Sequence, residues 1–354
     1  MNISIDIKGL KSLLELTPAS QNVMLVGKHG IGKSEILTHY FSRKRMKVVT
    51  LFLGQMSDPG DLIGLPTKDE ATGKTDFLPP YWFPTDGEPI VLFLDELNRA
   101  RPEVLQTVMD LTLNRKLAGK PLPNGSRIIS AVNDGEEYQL TDLDPALVSR
   151  FNIYTFRPTV QEWLLWASKA GIDERIINFI SSNPTMLENS GEAPDAGLDK
   201  SPDRRAWTHV SEVIKGIAPL NNLHKKIIAG IVGLKAANEF MKLVALDNTL
   251  TGTEVLLHFG KHKAAIGKMK LHEYSTLNES IFRCVETGDY GNDPAAAAQA
   301  LEAYCQLMLS KKKSEAFAHW VSLYTSNNYP NMALFLVSHA PTLLARMQTF
   351  ISEL

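Results

Sequence analysis

Residues 27–34 read Gly27-Lys28-His29-Gly30-Ile31-Gly32-Lys33-Ser34, the G-x-x-x-x-G-K-[ST] spacing of a loop that wraps its backbone around a phosphate chain. Glycines let such a loop turn its N–H groups inward, and a helix starting near Lys33 adds the positive end of its dipole. Lys33 then reaches the β- and γ-phosphates, the Ser34 hydroxyl ligates Mg²⁺, and Glu35 closes the candidate nucleotide-binding segment. The apolar residues Val23 to Val26 supply the strand that must lead into it.

A second group lies at Ile90-Val91-Leu92-Phe93-Leu94-Asp95-Glu96, a continuous apolar run ending in two carboxylates. Such a run fills a strand buried on both faces, and a parallel strand delivers its last residues to the crevice where ligands bind. There Asp95 holds Mg²⁺ and Glu96 polarises the water that attacks the γ-phosphate. Alone, an Asp-Glu pair at a strand end reads as a helix cap; paired with the phosphate loop it reads as nucleotide hydrolysis.

The elements that must position these groups follow from periodicity. Leu10, Leu13, Leu14 and Leu16 have helical spacing before Thr17-Pro18. Lys47–Leu53 reads as a strand, and residues 54–89, rich in Gly, Pro and Asp, as a long insertion without sustained period. Pro102 opens a helix with Val104, Leu105, Val108 and Leu111 on one face, followed by a turn-rich hairpin over Arg115–Gly125. Arg127–Val132 is a further buried strand ending at Asn133; Asp144-Pro145 caps a short helix that finishes at Arg150, and Phe151–Phe156 is the last strand. From Pro158 the period becomes helical, interrupted by a polar connection over 183–200, after which Ser201-Pro202 starts a helix with Arg204 and Arg205 in its first turn.

The 354 residues carry a net charge of −2 and are 44% hydrophobic and 21% charged, an ordinary globular composition. That balance argues against a broad nucleic-acid-binding face; the lysines at 261, 263, 268 and 270 and at 311–313 read as solvated helix surface. Cys284 and Cys305 lack metal-ligand spacing and a disulfide framework, and no apolar run reaches the ~18 residues of a membrane span, so a cytoplasmic protein without a membrane partner is expected. His258 and His262 are four apart on a helix with no third ligand evident, and read as surface residues. Asp58 and Asp61 read as turn and cap residues.

The order of these elements resembles an AAA+ ATPase, and more narrowly the MoxR branch. The resemblance is carried by Leu25–Ser34, by Leu92-Phe93-Leu94-Asp95-Glu96-Leu97-Asn98-Arg99-Ala100, by Asp144–Phe151, by Ser201-Pro202-Asp203-Arg204-Arg205-Ala206-Trp207, and by Asp61–Gly64 leading to Phe77–Pro80, which is similar to the insertion of that branch. It covers about residues 8–215 and fades beyond about 250. The fold it implies is α/β: an AAA+ P-loop parallel sheet core with helices on both faces (residues 1–157), an α-helical lid (158–250) and an additional C-terminal helical region (251–354) whose own chemistry assigns it no role.

By the same resemblance Asn133 is the sensor that hydrogen-bonds the attacking water or γ-phosphate, and Arg150 is a finger that reaches the neighbouring subunit's nucleotide. Arg205, followed by Ala206, is the better match to the second sensor, with Arg204 the alternative because the segment has one extra residue. Arg99 acts across the subunit boundary or forms a structural ion pair. The implied activity is Mg²⁺-dependent ATP hydrolysis between subunits of a hexameric ring that remodels or matures a protein partner carrying a von Willebrand factor A-type domain. Two other readings stand beside it: a nucleic-acid motor or loader, and a nucleotide switch similar to McrB-type GTPases, from which Ala131-Val132-Asn133-Asp134-Gly135 departs.

Overall fold

In this computed structural model, residues 3–133, 143–188, 200–246, 250–310 and 313–352 are described. Asp134-Gly135, most of the 183–200 connection, and Lys311 and Lys312 lie outside them. The chain divides into two compact units, Met1–Thr159 and Val160–Leu354.

Continuous apolar strands buried on both faces account for the first unit. Its strands are β1 (Ser4–Ile5), β2 (Asn22–Val26), β3 (Lys47–Phe52), β4 (Leu65–Lys68), β5 (Thr75–Leu78), β6 (Ile90–Asp95), β7 (Lys116–Leu117), β8 (Lys120–Pro121), β9 (Arg127–Val132) and β10 (Phe151–Phe156). Its helices are α1 (Ile7–Leu16), α2 (Lys33–Arg43), α3 (Gly60–Ile63), α4 (Pro102–Asn114) and α5 (Pro145–Val148). Six strands form one parallel sheet in the order β1-β10-β2-β9-β6-β3. Successive side chains of a strand point to opposite faces. Accordingly Val23, Leu25, Val91 and Phe93 join Leu10 and Leu14 of α1 and Leu37 and Phe41 of α2 in one core layer, while Met24, Leu92 and Leu94 pack with Val104, Val108 and Leu111 of α4 in the other. Burial on both faces is what the uninterrupted apolar runs of β2 and β6 required. β6 lies beside β9, so the ends of β2, β9 and β6 emerge side by side.

The insertion differs from its expected irregular form. It contains α3 and an antiparallel hairpin, β4 with β5, in register Leu65↔Leu78 to Lys68↔Thr75. Most residues of both strands are exposed, so neither carries the one-sided apolar alternation by which a strand is legible in a sequence. Asp61 accepts from the Ser57 and Asp58 backbone N–H groups at 2.9 and 3.2 Å, and Asp58 from Gly60 N–H at 2.7 Å, the turn and cap roles expected of them.

The second unit is helical: α6 (Val160–Ala170), α7 (Glu174–Ser182), α8 (Arg204–Ile214), α9 (Asn222–Val232), α10 (Leu234–Leu246), α11 (Gly252–Ile266), α12 (Leu271–Thr287), α13 (Pro294–Ser310), α14 (Ser314–Thr325), α15 (Pro330–His339) and α16 (Pro341–Ser352). It holds two apolar clusters. One surrounds Trp207, whose ring lies 5.4 Å from Phe179 and 5.8 Å from Phe240; the other surrounds Phe282, Tyr304, Phe317 and Trp320. Buried Arg283 of α12 bridges the two regions by donating to Asn178 Oδ1 of α7 at 3.1 Å. α11 bends at His258, whose φ of −139° and ψ of 37° leave the helical region. Among the described residues no helix is long and apolar enough to cross a membrane, and no cluster of His, Cys, Asp and Glu forms a metal site.

Candidate nucleotide site

The phosphate loop leaves β2 and turns into α2 through Gly30 and Gly32, at φ of 72° and 88°. That left-handed backbone is strained for any residue with a Cβ. Gly27 meets a different constraint: a Cβ there would stand 2.7 Å from the Phe156 carbonyl oxygen of the neighbouring β10. Gly27 N–H donates to Val132 O at 3.0 Å, which continues the β2–β9 pairing into the loop. Lys28 and His29 lie exposed on the rim and Ile31 is buried beneath it, while Glu35 is exposed in the first turn of α2.

Lys33 is only 6% exposed, and its Nζ donates to Gly27 O at 2.7 Å, Lys28 O at 2.9 Å and Asn133 Oδ1 at 3.3 Å. A buried ammonium needs such acceptors. The carbonyl oxygens of Gly27 and Lys28 and the Asn133 amide oxygen are among its acceptors, which sets the ammonium against the loop backbone. Ser34 Oγ donates to Asp95 Oδ2 at 3.0 Å. This joins the hydroxyl at the start of α2 to the carboxylate at the end of β6, a hard-oxygen pair of the kind that holds Mg²⁺ beside phosphates. The loop's glycines, the Lys33 ammonium and these two oxygens fit a nucleoside triphosphate with its metal.

Asp95 Oδ1 accepts the Glu96 N–H at 2.9 Å, and Glu96 itself takes a left-handed backbone, φ 56° and ψ 41°. That turn carries its side chain away from the sheet ladder, where its Oε1 meets Arg99 Nη1 at 2.9 Å. Gly54, after β3, makes room for this pair: a Cβ would lie 2.9 Å from Glu96 Oε2 and 3.0 Å from Arg99 Cβ. Asn133 immediately follows β9 and is almost fully buried, with its side chain toward Lys33.

Arg150 lies at the other end of the sheet. It immediately precedes β10, where Phe151 is in register with Asn22 and Thr155 with Val26. Four residues of strand, about 13 Å, separate that level from the phosphate loop. Its guanidinium donates to the Ala146 carbonyl of α5; it makes no ion pair among the described residues, and its Nε is buried without a partner there. Arg204 and Arg205 open α8 in the second unit, capped by Asp203, which accepts from Ala206 N–H at 2.6 Å. Arg204 is buried and ion-paired with Glu188 at 3.0 Å, whereas Arg205 is exposed.

Lys33, Ser34, Asp95, Glu96 and Asn133 thus converge at the carboxyl ends of β2, β6 and β9. Residues 22–151 match the family model of the AAA domain, dynein-related subfamily. That match lies within the first unit and spans most of it. A curated relative of the chain, "Putative chaperone BssE" of Thauera aromatica, is 29% identical over 176 residues, 46% of this chain; the chain spans 61% of that relative's length. Among solved structures, NtrX of Brucella abortus in complex with ADP is similar at 13% identity and a TM-score of 0.39, over 86% of this chain and 67% of that one. The RuvB branch-migration motor of Thermotoga maritima is similar at 16% identity and a TM-score of 0.35, over 78% and 80%.

Two residues of the candidate site escape sequence reasoning. Gly54 has no signal beyond being a glycine in a glycine-rich stretch. Asn98, in the turn after the acidic pair, is 3% exposed and binds the backbone of Asn133. Its sequence signal is its place in the Leu92–Ala100 segment, which assigns it no role.

Proposed function

We propose that this chain is a MoxR-type AAA+ ATPase that hydrolyses ATP in a Mg²⁺-dependent reaction at sites completed by a neighbouring copy in a hexameric ring. The observation that carries the reading is the opposition within one unit between two sets of groups. Lys33, Ser34, Asp95, Glu96 and Asn133 gather at one end of the sheet, and Arg150 stands at the other. An arginine about 13 Å from its own loop serves a site in another chain better than its own.

In this reading the backbone N–H groups of Gly27–Gly32 cradle the triphosphate, and Lys33 exchanges its carbonyl partners for phosphate oxygens. Ser34 and Asp95 hold Mg²⁺, which when bound neutralises charge on the β- and γ-phosphates. Glu96 accepts a proton from the attacking water, oriented by the Asn133 amide. Arg150 of the next copy stabilises charge on the transferred phosphoryl group, and Arg205 contributes from the lid.

The work done is remodelling or maturation of a protein partner, supported by the chaperone name of the Thauera relative and by the MoxR-like motifs around Asp95 and Arg205. A protein with a von Willebrand factor A-type domain is the proposed partner, on the MoxR resemblance. The test is ATP turnover and assembly of the purified protein with and without Mg²⁺, followed by pull-down of such a partner with and without ATP. Turnover that requires both metal and assembly, and ATP-modulated capture, are expected. A chain that assembles but neither binds nor hydrolyses ATP overturns the reading.

A further inference from the structure

We propose that Asn98 is a positioning residue for hydrolysis, clamping the Asn133 sensor to the turn that carries Glu96; this rests on the ATPase reading above. In a strand the backbone groups of successive residues point alternately to the two neighbours. Val132 O is taken by Gly27 N–H on the β2 side, so the N–H and C=O of Asn133 point to the β6 side. There the ladder has already ended. The last pairing of β6 with β9 is Leu94↔Ser130, because β6 stops at Asp95 and Glu96 turns into the left-handed region.

The side-chain amide of Asn98 takes the place of the missing strand. Its Nδ2 donates to Asn133 O at 3.0 Å and its Oδ1 accepts from Asn133 N–H at 3.3 Å, both bonds buried. One amide group supplies a donor and an acceptor at the spacing of a peptide unit, which neither a carboxylate nor an apolar side chain does. Its orientation is fixed by its partners, since only the nitrogen can face a carbonyl. The clamp holds the backbone whose side chain faces Lys33, and Asn98 is two residues from Glu96. The water-activating carboxylate and the sensor amide are thereby built on one rigid corner rather than on two independent strand ends.

The test uses the full-length protein and steady-state ATP turnover, with ATP binding and thermal unfolding measured alongside. Asn98→Ala removes both hydrogen bonds, and Asn98→Asp keeps the shape while presenting oxygen to the Asn133 carbonyl. A misplacement of the sensor on the order of 1 Å lowers kcat by about tenfold to a hundredfold. Both variants are expected to show this loss with the dissociation constant for ATP unchanged, and the double variant Asn98→Ala/Asn133→Ala to turn over no more slowly than Asn133→Ala alone. Non-additivity of that kind separates positioning from general destabilisation. Turnover of Asn98→Ala within twofold of wild type beside an inactive Glu96→Gln overturns the proposal alone, as do effects that multiply in the double variant. A Glu96→Gln chain with wild-type turnover overturns the ATPase reading and this proposal together.

Discussion

Asn22 Nδ2 donates to the carbonyl of Arg150 at 3.1 Å, and the same nitrogen donates to the Thr112 carbonyl at the end of α4 at 3.0 Å. Asn22 is the first residue of β2, and the phosphate loop begins where β2 ends. This buried amide therefore pins the arginine to the end of the sheet that faces away from its own loop.

Arg150→Ala is expected to assemble and bind ATP normally while turnover falls by about 10³–10⁵. Lys33→Ala, which loses the cation of the loop, is expected to be inactive alone. Mixing the two restores measurable turnover, because some boundaries then pair an intact loop with an intact arginine. Turnover assays on mixtures at varied ratio check this; a mixture as inactive as its components places Arg150 outside the reaction.

Glu96→Gln keeps the shape of the Glu96–Arg99 contact but removes the proposed base, so turnover is expected to fall by about 10²–10⁴ with ATP affinity retained. Gly54→Ala approaches the same carboxylate from behind. The added methyl meets Glu96 Oε2 at 2.9 Å and Arg99 Cβ at 3.0 Å, and only the flexible carboxylate yields readily. Displacing it is expected to lower kcat by about tenfold to a hundredfold without loss of melting temperature. Parallel kinetics and thermal melts read the two effects separately.

The adjacent arginines of α8 are expected to separate by phenotype. Arg204 is buried against Glu188, so Arg204→Ala destabilises the second unit by on the order of 1–3 kcal/mol through lost charged hydrogen bonds. Exposed Arg205 makes no such contact among the described residues, and Arg205→Ala is expected to leave unfolding unchanged while weakening ATP turnover. Denaturant melts and turnover of both variants decide which arginine is the sensor.

Burial pushes the Cys284 thiol from its ordinary value of 9.0 up to about 12, and pushes Cys305 upward too. The thiolate is the reactive form, so both cysteines are expected to resist thiol reagents at pH 8 and to react on unfolding. A thiol held protonated in the folded state gives its full contribution to stability below pH 9 and loses it as pH rises toward 12. Counting labelled thiols against denaturant concentration, and following melts above pH 9, checks both statements.

The glycine spacing of 27–32, the Lys33-Ser34 pair and the apolar run into Asp95-Glu96 determine by themselves that a phosphate loop and an acidic strand end exist. A local spacing encodes a local backbone path, and a doubly buried strand must be apolar throughout. Periodicity likewise yields α1, α4 and the helical character of residues beyond 158. It does not yield the β4–β5 hairpin, whose two faces both meet solvent, nor the division between Arg204 and Arg205, adjacent residues of like chemistry that packing alone tells apart. Tertiary structure also decided that Asn98 serves Asn133, 35 positions away, that Gly54 yields space to Glu96, and that Arg150 stands at the far end of the sheet. Each of these depends on the order in which strands lie side by side. That order is set by burial on both faces of the sheet at once, a condition that no single segment carries.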